Sequence, residues 1–285
     1  MPTVSVVIPC YKYGQYVTGC VRSLLSNTEV DLDILVVDDA SPDDSWSVVQ
    51  RLPEIDPRIR VQRNEKNTGL IGTANAGIMA AKGDYVVLLS ADDALAPGWL
   101  DRGVAELERH PKAAFAYGPT RRFSGPLPKL HVKRKAEVRY STGREWMGRG
   151  CAVAGAYLLS PEVIVRTSVH HEVGGYLPEL PYSSDMEMWM RLATVGDVIR
   201  VDGPVAAFYR VSPQSMSRGI YTNLLRGLEA RRDAFEAWYR FADGRVADRD
   251  ELMAAVRRSL ARRGVRRAYQ AFLQDPHGEL FEQLC

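Results

Sequence analysis

The first hundred residues alternate short strand-forming runs with stretches of helical spacing, and this alternation restricts the chain to a few architectures. Thr3 to Pro9 (TVSVVIP), Leu32 to Val37 (LDILVV), Arg58 to Gln62 and Tyr85 to Leu89 read as strands. Between the first two, Val17, Cys20, Val21, Leu24 and Leu25 recur at helical spacing over residues 14 to 27. Ser41 before Pro42 reads as the N-cap of a second helix ending near Leu52. A third helix of small residues runs from Gly72 to Ala81 and stops at Gly83. The order β-α-β-α-β-α-β is that of a mostly parallel sheet with helices on both faces, an α/β three-layer sandwich.

The strands end in polar clusters. Tyr85 to Leu89 runs straight into Ser90, Ala91, Asp92 and Asp93, and the second strand runs into Asp38 and Asp39. In a parallel sheet these clusters share one edge with Pro9 to Lys12, and ligands of open α/β sheets bind at that edge. Adjacent carboxylates at the end of a buried strand are costly without a positive partner. A divalent cation carrying a phosphate-rich substrate supplies one, whereas the simpler alternative is an acidic turn in solvent. No GxGxxG follows the first strand and no GxxxxGK[ST] occurs, which argues against a dinucleotide oxidoreductase and a phosphate-loop NTPase.

Composition adds exclusions. Of the 285 residues, 46% are hydrophobic and 25% charged, as in an ordinary globular protein, and a formal charge of +2 gives no reason to invoke nucleic acid or a membrane surface. No window approaches the roughly 18 apolar residues of a membrane span. The N-terminus MPTVSVVIPCY lacks a basic region and reads as a strand, not a signal peptide. Cys10, Cys20, Cys151 and Cys285 form no CxxC pair, the pattern of reduced thiols in a cytoplasm. The adjacent His170 and His171 would point to different sides of a helix, so they suggest no metal site.

Beyond Leu100 the pattern loosens. Leu100 to His110 reads as a helix, Ala113 to Tyr117 as a strand, and 118 to 150 as a basic excursion, either a solvated loop or a lid over an anionic substrate. Ser183 or Ser184 would cap a helix with a buried stripe of Met188, Trp189 and Leu192. Asp185 then lies in the first turn, where the helix dipole favours its ionised form. It is a candidate general base, or simply part of the cap. Residues 198 to 202 and 205 to 211 read as short strands. From Thr222 the chain is helical and Arg-rich; Leu224, Leu225, Leu228, Phe235, Trp238 and Tyr239 read as packing faces on the main domain, with peripheral membrane or partner contact the alternative.

Five segments in order resemble the inverting glycosyltransferases of family 2, which have the GT-A fold: VSVVIPCYKYGQYVTGCVRSLL, VVDDASPDDS, NTGLIGTANAGIMAAKGDYVVLLSADD, VGGYLPELPYSSDMEMWMRL and YRVSPQSMS. The likeness covers about residues 3 to 217. It implies that residues 1–100 form a nucleotide-sugar-binding half, 101–220 an acceptor-binding half of the same domain, and 221–285 a C-terminal helical extension. It implies a nucleoside-diphosphate sugar donor and a hydroxyl-bearing acceptor on a glycan, lipid or small natural product. Pro9 and Tyr11 would line the base, Asp39 would bind base or ribose with Asp38 supporting, and Asp92 would touch ribose or metal. Asp93 would be the principal ligand of Mg²⁺ or Mn²⁺, and Asp185 the base that deprotonates the acceptor. The sequence departs from the family pattern at Lys12, Ala74, Ser90, Ser184 and Ser212, where Asn, Arg, Asp, Glu and His are usual. Two rivals remain: a catalytically impaired sugar-nucleotide-binding scaffold of the same fold, and a sugar-phosphate nucleotidyltransferase, which should carry a glycine- and basic-rich loop where PCYKYGQY stands.

Overall fold

A computed structural model describes residues 1–128, 136–155, 158–212 and 224–274. Its strands are β1 (Thr3–Cys10), β2 (Asp31–Asp38), β3 (Ile59–Arg63), β4 (Tyr85–Leu88), β5 (Ala94–Leu95), β6 (Ala113–Tyr117), β7 (Thr120–Phe123), β8 (Glu137–Ser141), β9 (Ile164–Arg166), β10 (Asp197–Asp202) and β11 (Ala207–Arg210). Its helices are α1 (Gly14–Leu24), α2 (Ser45–Val49), α3 (Gly69–Met79), α4 (Trp99–Arg109), α5 (Gly143–Val153), α6 (Thr167–Val173), α7 (Ser184–Val195), α8 (Leu224–Phe241) and α9 (Arg249–Gln274).

Eight strands form the central sheet in the order β3-β2-β1-β4-β9-β6-β10-β8. β3, β2, β1 and β4 run parallel, as the alternation in the sequence requires. β9 is antiparallel to both β4 and β6, and β8 is antiparallel to β10. A small second sheet, β5-β11-β7, lies beside the large one. The sheet divides the core in two, and β1 shows how. Val4, Val6 and Ile8 pack with α1 and α4, while Val7 faces α3 and the layer of α5, α7 and α8. A strand covered on both faces needs apolar residues at odd and even positions alike, and TVSVVIP supplies them.

Most expected elements stand within two or three residues of their positions. The second helix does not: it spans only Ser45–Val49, and Asp44, not Ser41, precedes it. Ser41 instead ties loops together, accepting from the Lys12 amide at 3.1 Å through its hydroxyl and donating its own amide to Asp38 at 3.2 Å. Residues 118 to 150 are also more ordered than a basic loop, because they include β7, β8 and the start of α5; residues 129–135 of that stretch lie outside the described residues, as do Pro213 to Ser217 of the late motif. α5 begins with a capping box: the Thr142 hydroxyl accepts from the Glu145 amide, and the Glu145 carboxylate accepts from the Thr142 amide. Phe235 and Trp238 of α8 are buried in the main core, and the Trp238 indole donates to Thr194 at 2.9 Å, so α8 packs on the domain through these residues as expected, whereas Leu225 of the expected packing face is exposed.

Candidate active site

The parallel strands bring the expected clusters to one edge. Register alone sets Pro9 beside Val37 and Cys10 beside Asp38. The loops beyond are tied by backbone bonds, from the Asp39 amide to the Cys10 carbonyl (2.9 Å) and from the Asn64 amide to the Asp38 carbonyl (2.8 Å). Lys12 and Ala40 both adopt left-handed backbone, φ 59° and 55°. Such strain in non-glycine residues gathers where surrounding structure over-determines a loop. Asn tolerates this conformation well, which accounts physically for the family's usual residue at position 12. Tyr11 is exposed, with the Lys12 ammonium 5.3 Å from its ring centroid.

Asp38 and Asp39 are both buried but differ in how they are used. Asp39 accepts from the Thr68 amide (2.9 Å), the Thr68 hydroxyl (3.1 Å), the Asn64 side chain (2.8 Å) and the Gly69 amide (2.9 Å). It therefore caps the N-terminus of α3 from another loop. Burial pushes its pKa up, but these donors outweigh burial and leave it lowered. In Asp38, Oδ2 pairs with the Arg63 guanidinium at 3.2 Å and accepts from the Ser41 amide. Its Oδ1 is buried without a hydrogen-bond partner.

At the end of β4, the Ser90 hydroxyl donates to Asp92 Oδ1 at 2.7 Å. The serine that replaces the usual carboxylate thus orients the next one. Asp93 Oδ1 accepts from the Arg210 amide at 2.7 Å, and Arg210 Nε donates to the Asp92 carbonyl at 3.0 Å. The Arg210 guanidinium lies 4.2 Å from the Tyr16 ring centroid and 4.4 Å from that of Phe123. Burial raises the pKa of Asp92, and raises that of Asp93 well above its usual value, with Asp92 adding to the latter. Among the described residues, no group of three or more His, Cys, Asp or Glu side chains is arranged to hold a metal unaided. Two buried carboxylates that repel each other nonetheless fit a hard cation whose remaining ligands are phosphate oxygens and water, the usual way Mg²⁺ is held.

Across the edge stands Asp185, in the first turn of α7 as expected. Ser183 occupies the N-cap position but makes no side-chain cap bond. Asp185 Oδ1 accepts from the Met186 amide at 2.7 Å. The helix N-terminus was expected to favour its ionised form; burial dominates and raises its pKa, while Arg231 of α8 pulls the other way. Arg231 is placed by donating to the Ala154 carbonyl at 3.0 Å.

Sequence reasoning missed two residues here. Arg210 lies in the quoted motif YRVSPQSMS, yet its hold on Asp93 follows from β11 pairing antiparallel with β5. Glu162 is 1% exposed. β9 runs antiparallel to β4, Val165 opposite Val86, which carries the residues just before β9 to the edge where Asp92 and Asp93 emerge. Glu162 Oε1 accepts from the Leu159 amide at 2.5 Å, and the Thr120 hydroxyl also favours its charged form. Burial raises its pKa to about 7, with Asp185 contributing, and its own charge acts on Asp93. It sits electrostatically between the two halves of the site. Only the Pro161-Glu162 dipeptide before an apolar run marked it in the sequence.

Other motif residues are structural. The Asn75 side chain donates to the Tyr176 carbonyl (2.8 Å) and accepts from the Tyr176 amide (2.7 Å). The Arg191 guanidinium donates to the Val173 and Gly175 carbonyls, both at 2.7 Å, and pairs with Glu187. Together they lock the Gly174-Gly175 turn against α3. A hollow of about 760 Å³ lies at the opposite edge of the sheet, lined by Gly83, Tyr85, Glu108 and Arg166 among others. Its Arg166 is occupied with the Ala113 carbonyl and the Tyr85 hydroxyl.

Known proteins resemble this chain in sequence and in fold. The profile of the family described as Glycosyl transferase family 2 matches residues 5–157. An uncharacterized glycosyltransferase of Haemophilus influenzae is 25% identical over 206 residues, 68% of this chain and 61% of its own length. A UDP-Glc:alpha-D-GlcNAc-diphosphoundecaprenol beta-1,3-glucosyltransferase of Escherichia coli is 25% identical over 239 residues, 79% of this chain and 84% of that protein. A chondroitin synthase of Pasteurella multocida is 33% identical over 121 residues, 42% of this chain and 12% of the synthase. The match thus spans less than two thirds of the Haemophilus protein and a small part of the synthase. Among solved structures, Staphylococcus aureus TarS 1-349 in complex with UDP-GlcNAc superposes with a TM-score of 0.72 at 17% identity, covering 99% of this chain and 79% of that one. The mannosyltransferase PcManGT of Pyrobaculum calidifontis, in complex with GDP-Man and Mn²⁺, gives 0.62 at 16%, covering 99% and 84%. These likenesses show the GT-A fold, and with the family match over more than half of its length the chain belongs to glycosyl transferase family 2.

Proposed function

We propose that the protein transfers a sugar from a nucleoside-diphosphate sugar to an acceptor hydroxyl by direct displacement with inversion. The observation that carries this reading is the two-sided edge: Asp92 and Asp93 on one side, Asp185 on the other, and the buried Glu162 between them. The division into a donor half (residues 1–100), an acceptor half (101–220) and a helical extension (221–285) follows the same logic. A cytoplasmic setting fits the buried free thiols of Cys10, Cys20 and Cys151.

On the donor side, Pro9 and the exposed Tyr11 flank the base. Asp38 Oδ1 is the better candidate than Asp39 for an N–H of that base, because the Asp39 oxygens are already engaged. A buried carboxylate oxygen suits the imide N–H of uracil or thymine, or the N1–H of guanine. Asp93, with Asp92, would hold Mg²⁺ or Mn²⁺ against the diphosphate. When bound, the cation supplies Lewis-acid neutralisation of the charge that collects on the leaving phosphate. On the acceptor side, burial makes Asp185 a stronger base than an exposed carboxylate. It takes the hydroxyl proton as the acceptor oxygen bonds to the anomeric carbon and the bond to the diphosphate breaks on the opposite side. One base and one displacement need no covalent glycosyl-enzyme.

The test is a panel of UDP-, GDP- and dTDP-sugars assayed for binding and for hydrolysis with and without Mn²⁺. At least one donor should bind and be hydrolysed slowly in a cation-dependent manner, and Asp93→Ala should abolish the cation dependence. A chain that binds none of them is not this enzyme.

A further inference from the structure

Helix α9 packs its first half into the core, while in its second half only one side, with the half-buried Gly264 and Ala268, is covered and the other is bare. Leu252, Met253 and Val256 are buried in the core shared with α5 and α8. Beyond Ser259 none of its described side chains is buried, yet the helix continues to Gln274, a further ~20 Å at the helical rise.

The bare half is not simply polar. Val265, Tyr269 and Leu273 are 72%, 62% and 63% exposed. They recur every four residues and share a face. Arg258, Arg262 and Arg266 each stand seven residues before one of them, so they lie within about 20° of the same stripe. Arg257 and Arg267 are also exposed, and no acidic residue occurs from Leu252 to Gln274. Among the described residues, the ion pairs of α9 are made by Arg249 at its start. Among the described residues Arg258, Arg262 and Arg266 make no ion pair, and arginines at i,i+4 spacing repel one another, so an anionic partner would relieve this helix. Exposed apolar side chains among basic ones fit the interface of an anionic bilayer, where arginine meets headgroups and apolar groups enter the acyl boundary. A second copy of the chain on this face would set arginine against arginine. A nucleic acid would leave the apolar stripe without a role.

The position of this half gives it a consequence. Arg263 donates to the Val153 carbonyl at 2.7 and 3.1 Å, at the end of α5. The next residue, Ala154, accepts from Arg231, whose charge acts on Asp185. The bare half therefore leaves the body beside the acceptor side of the site. We propose that the C-terminal half of α9 docks on an anionic lipid bilayer and turns the Asp185 side of the cleft toward an acceptor carried at that membrane. The docking stands on α9 alone; the membrane-borne acceptor rests on the glycosyltransferase reading.

Flotation of the full chain with phosphatidylcholine vesicles, with and without phosphatidylglycerol, tests this. Binding is expected only with phosphatidylglycerol, weakened by salt. Combined Arg258→Glu, Arg262→Glu and Arg266→Glu should lower vesicle affinity by on the order of a hundredfold. Tyr269→Ser with Leu273→Ser should remove the part that survives high salt. UDP binding, followed separately by calorimetry, should be unchanged in both variants. Loss of UDP binding by the unsubstituted chain would count against the enzyme reading and leave docking standing. The proposal is overturned if the chain ignores both vesicle types, if the arginine variant floats like the parent, if duplex DNA competes the chain off the vesicles, or if light scattering shows a dimer that the arginine variant dissolves.

Discussion

Asp39 and Asp185 are both carboxylates beside the N-terminus of a helix, and they stand at opposite extremes. Asp39 receives four hydrogen bonds and its pKa is lowered; Asp185 receives one from the Met186 amide and its pKa is raised by burial. The difference is between a carboxylate saturated with hydrogen bonds inside a loop and one left with a single donor. Proximity to a helix terminus decides neither role; the number of donors that tertiary structure delivers does.

The largest test of that contrast is Asp185→Asn. Transfer should fall by about 10²- to 10⁴-fold, the usual worth of a general base, with nucleotide binding unchanged by calorimetry. Asp39→Asn should act instead on folding. Its amide would meet donors with donors, lowering stability by on the order of 3 kcal/mol in denaturant unfolding. If Asp39→Asn left stability intact while abolishing nucleotide binding, the contrast would collapse and the roles of Asp38 and Asp39 would be exchanged.

Glu162 sharpens the comparison at intermediate size. Its folded pKa, about 7, exceeds its ordinary 4.5, so the folded chain holds a proton there that the unfolded chain has lost. This contribution to stability is full below pH 4.5 and fades as pH rises through about 7. Glu162→Gln cannot ionise, so its stability relative to the parent should improve between pH 5 and 8 by on the order of 2 kcal/mol. A pH-independent difference between the two melting curves would remove Glu162 from the site's electrostatics. The smallest effect expected is Lys12→Asn, which should stabilise the chain by up to about 1 kcal/mol by suiting the left-handed backbone. A loss of stability there would mean that the Lys12 side chain matters more than its backbone.

Much of the fold was legible because its signals are local. β-branched runs, small-residue helices and carboxylates at strand ends report on neighbours in sequence, and parallel strands deliver such ends to one edge. The second helix was misread because Ser41-Pro42 carries a capping signature, while the Ser41 hydroxyl and amide are engaged by Lys12 and Asp38. Arg210 sat in a motif that did not reveal its contact with Asp93, and Glu162 was marked only by the Pro161-Glu162 dipeptide.

By itself, then, the sequence determined the alternation of strand and helix, the sheet edge at which the polar clusters gather, and the carboxylates offered there. Tertiary structure alone decided which of those carboxylates stay available. Asp93 is held by Arg210, 117 residues away; Asn75 locks the turn before α7 across 101 residues; and Glu162 reaches the edge because β9 enters the sheet antiparallel. Hydrogen-bond saturation and burial are properties of what packs around a side chain, and that environment is assembled from segments far apart in the chain.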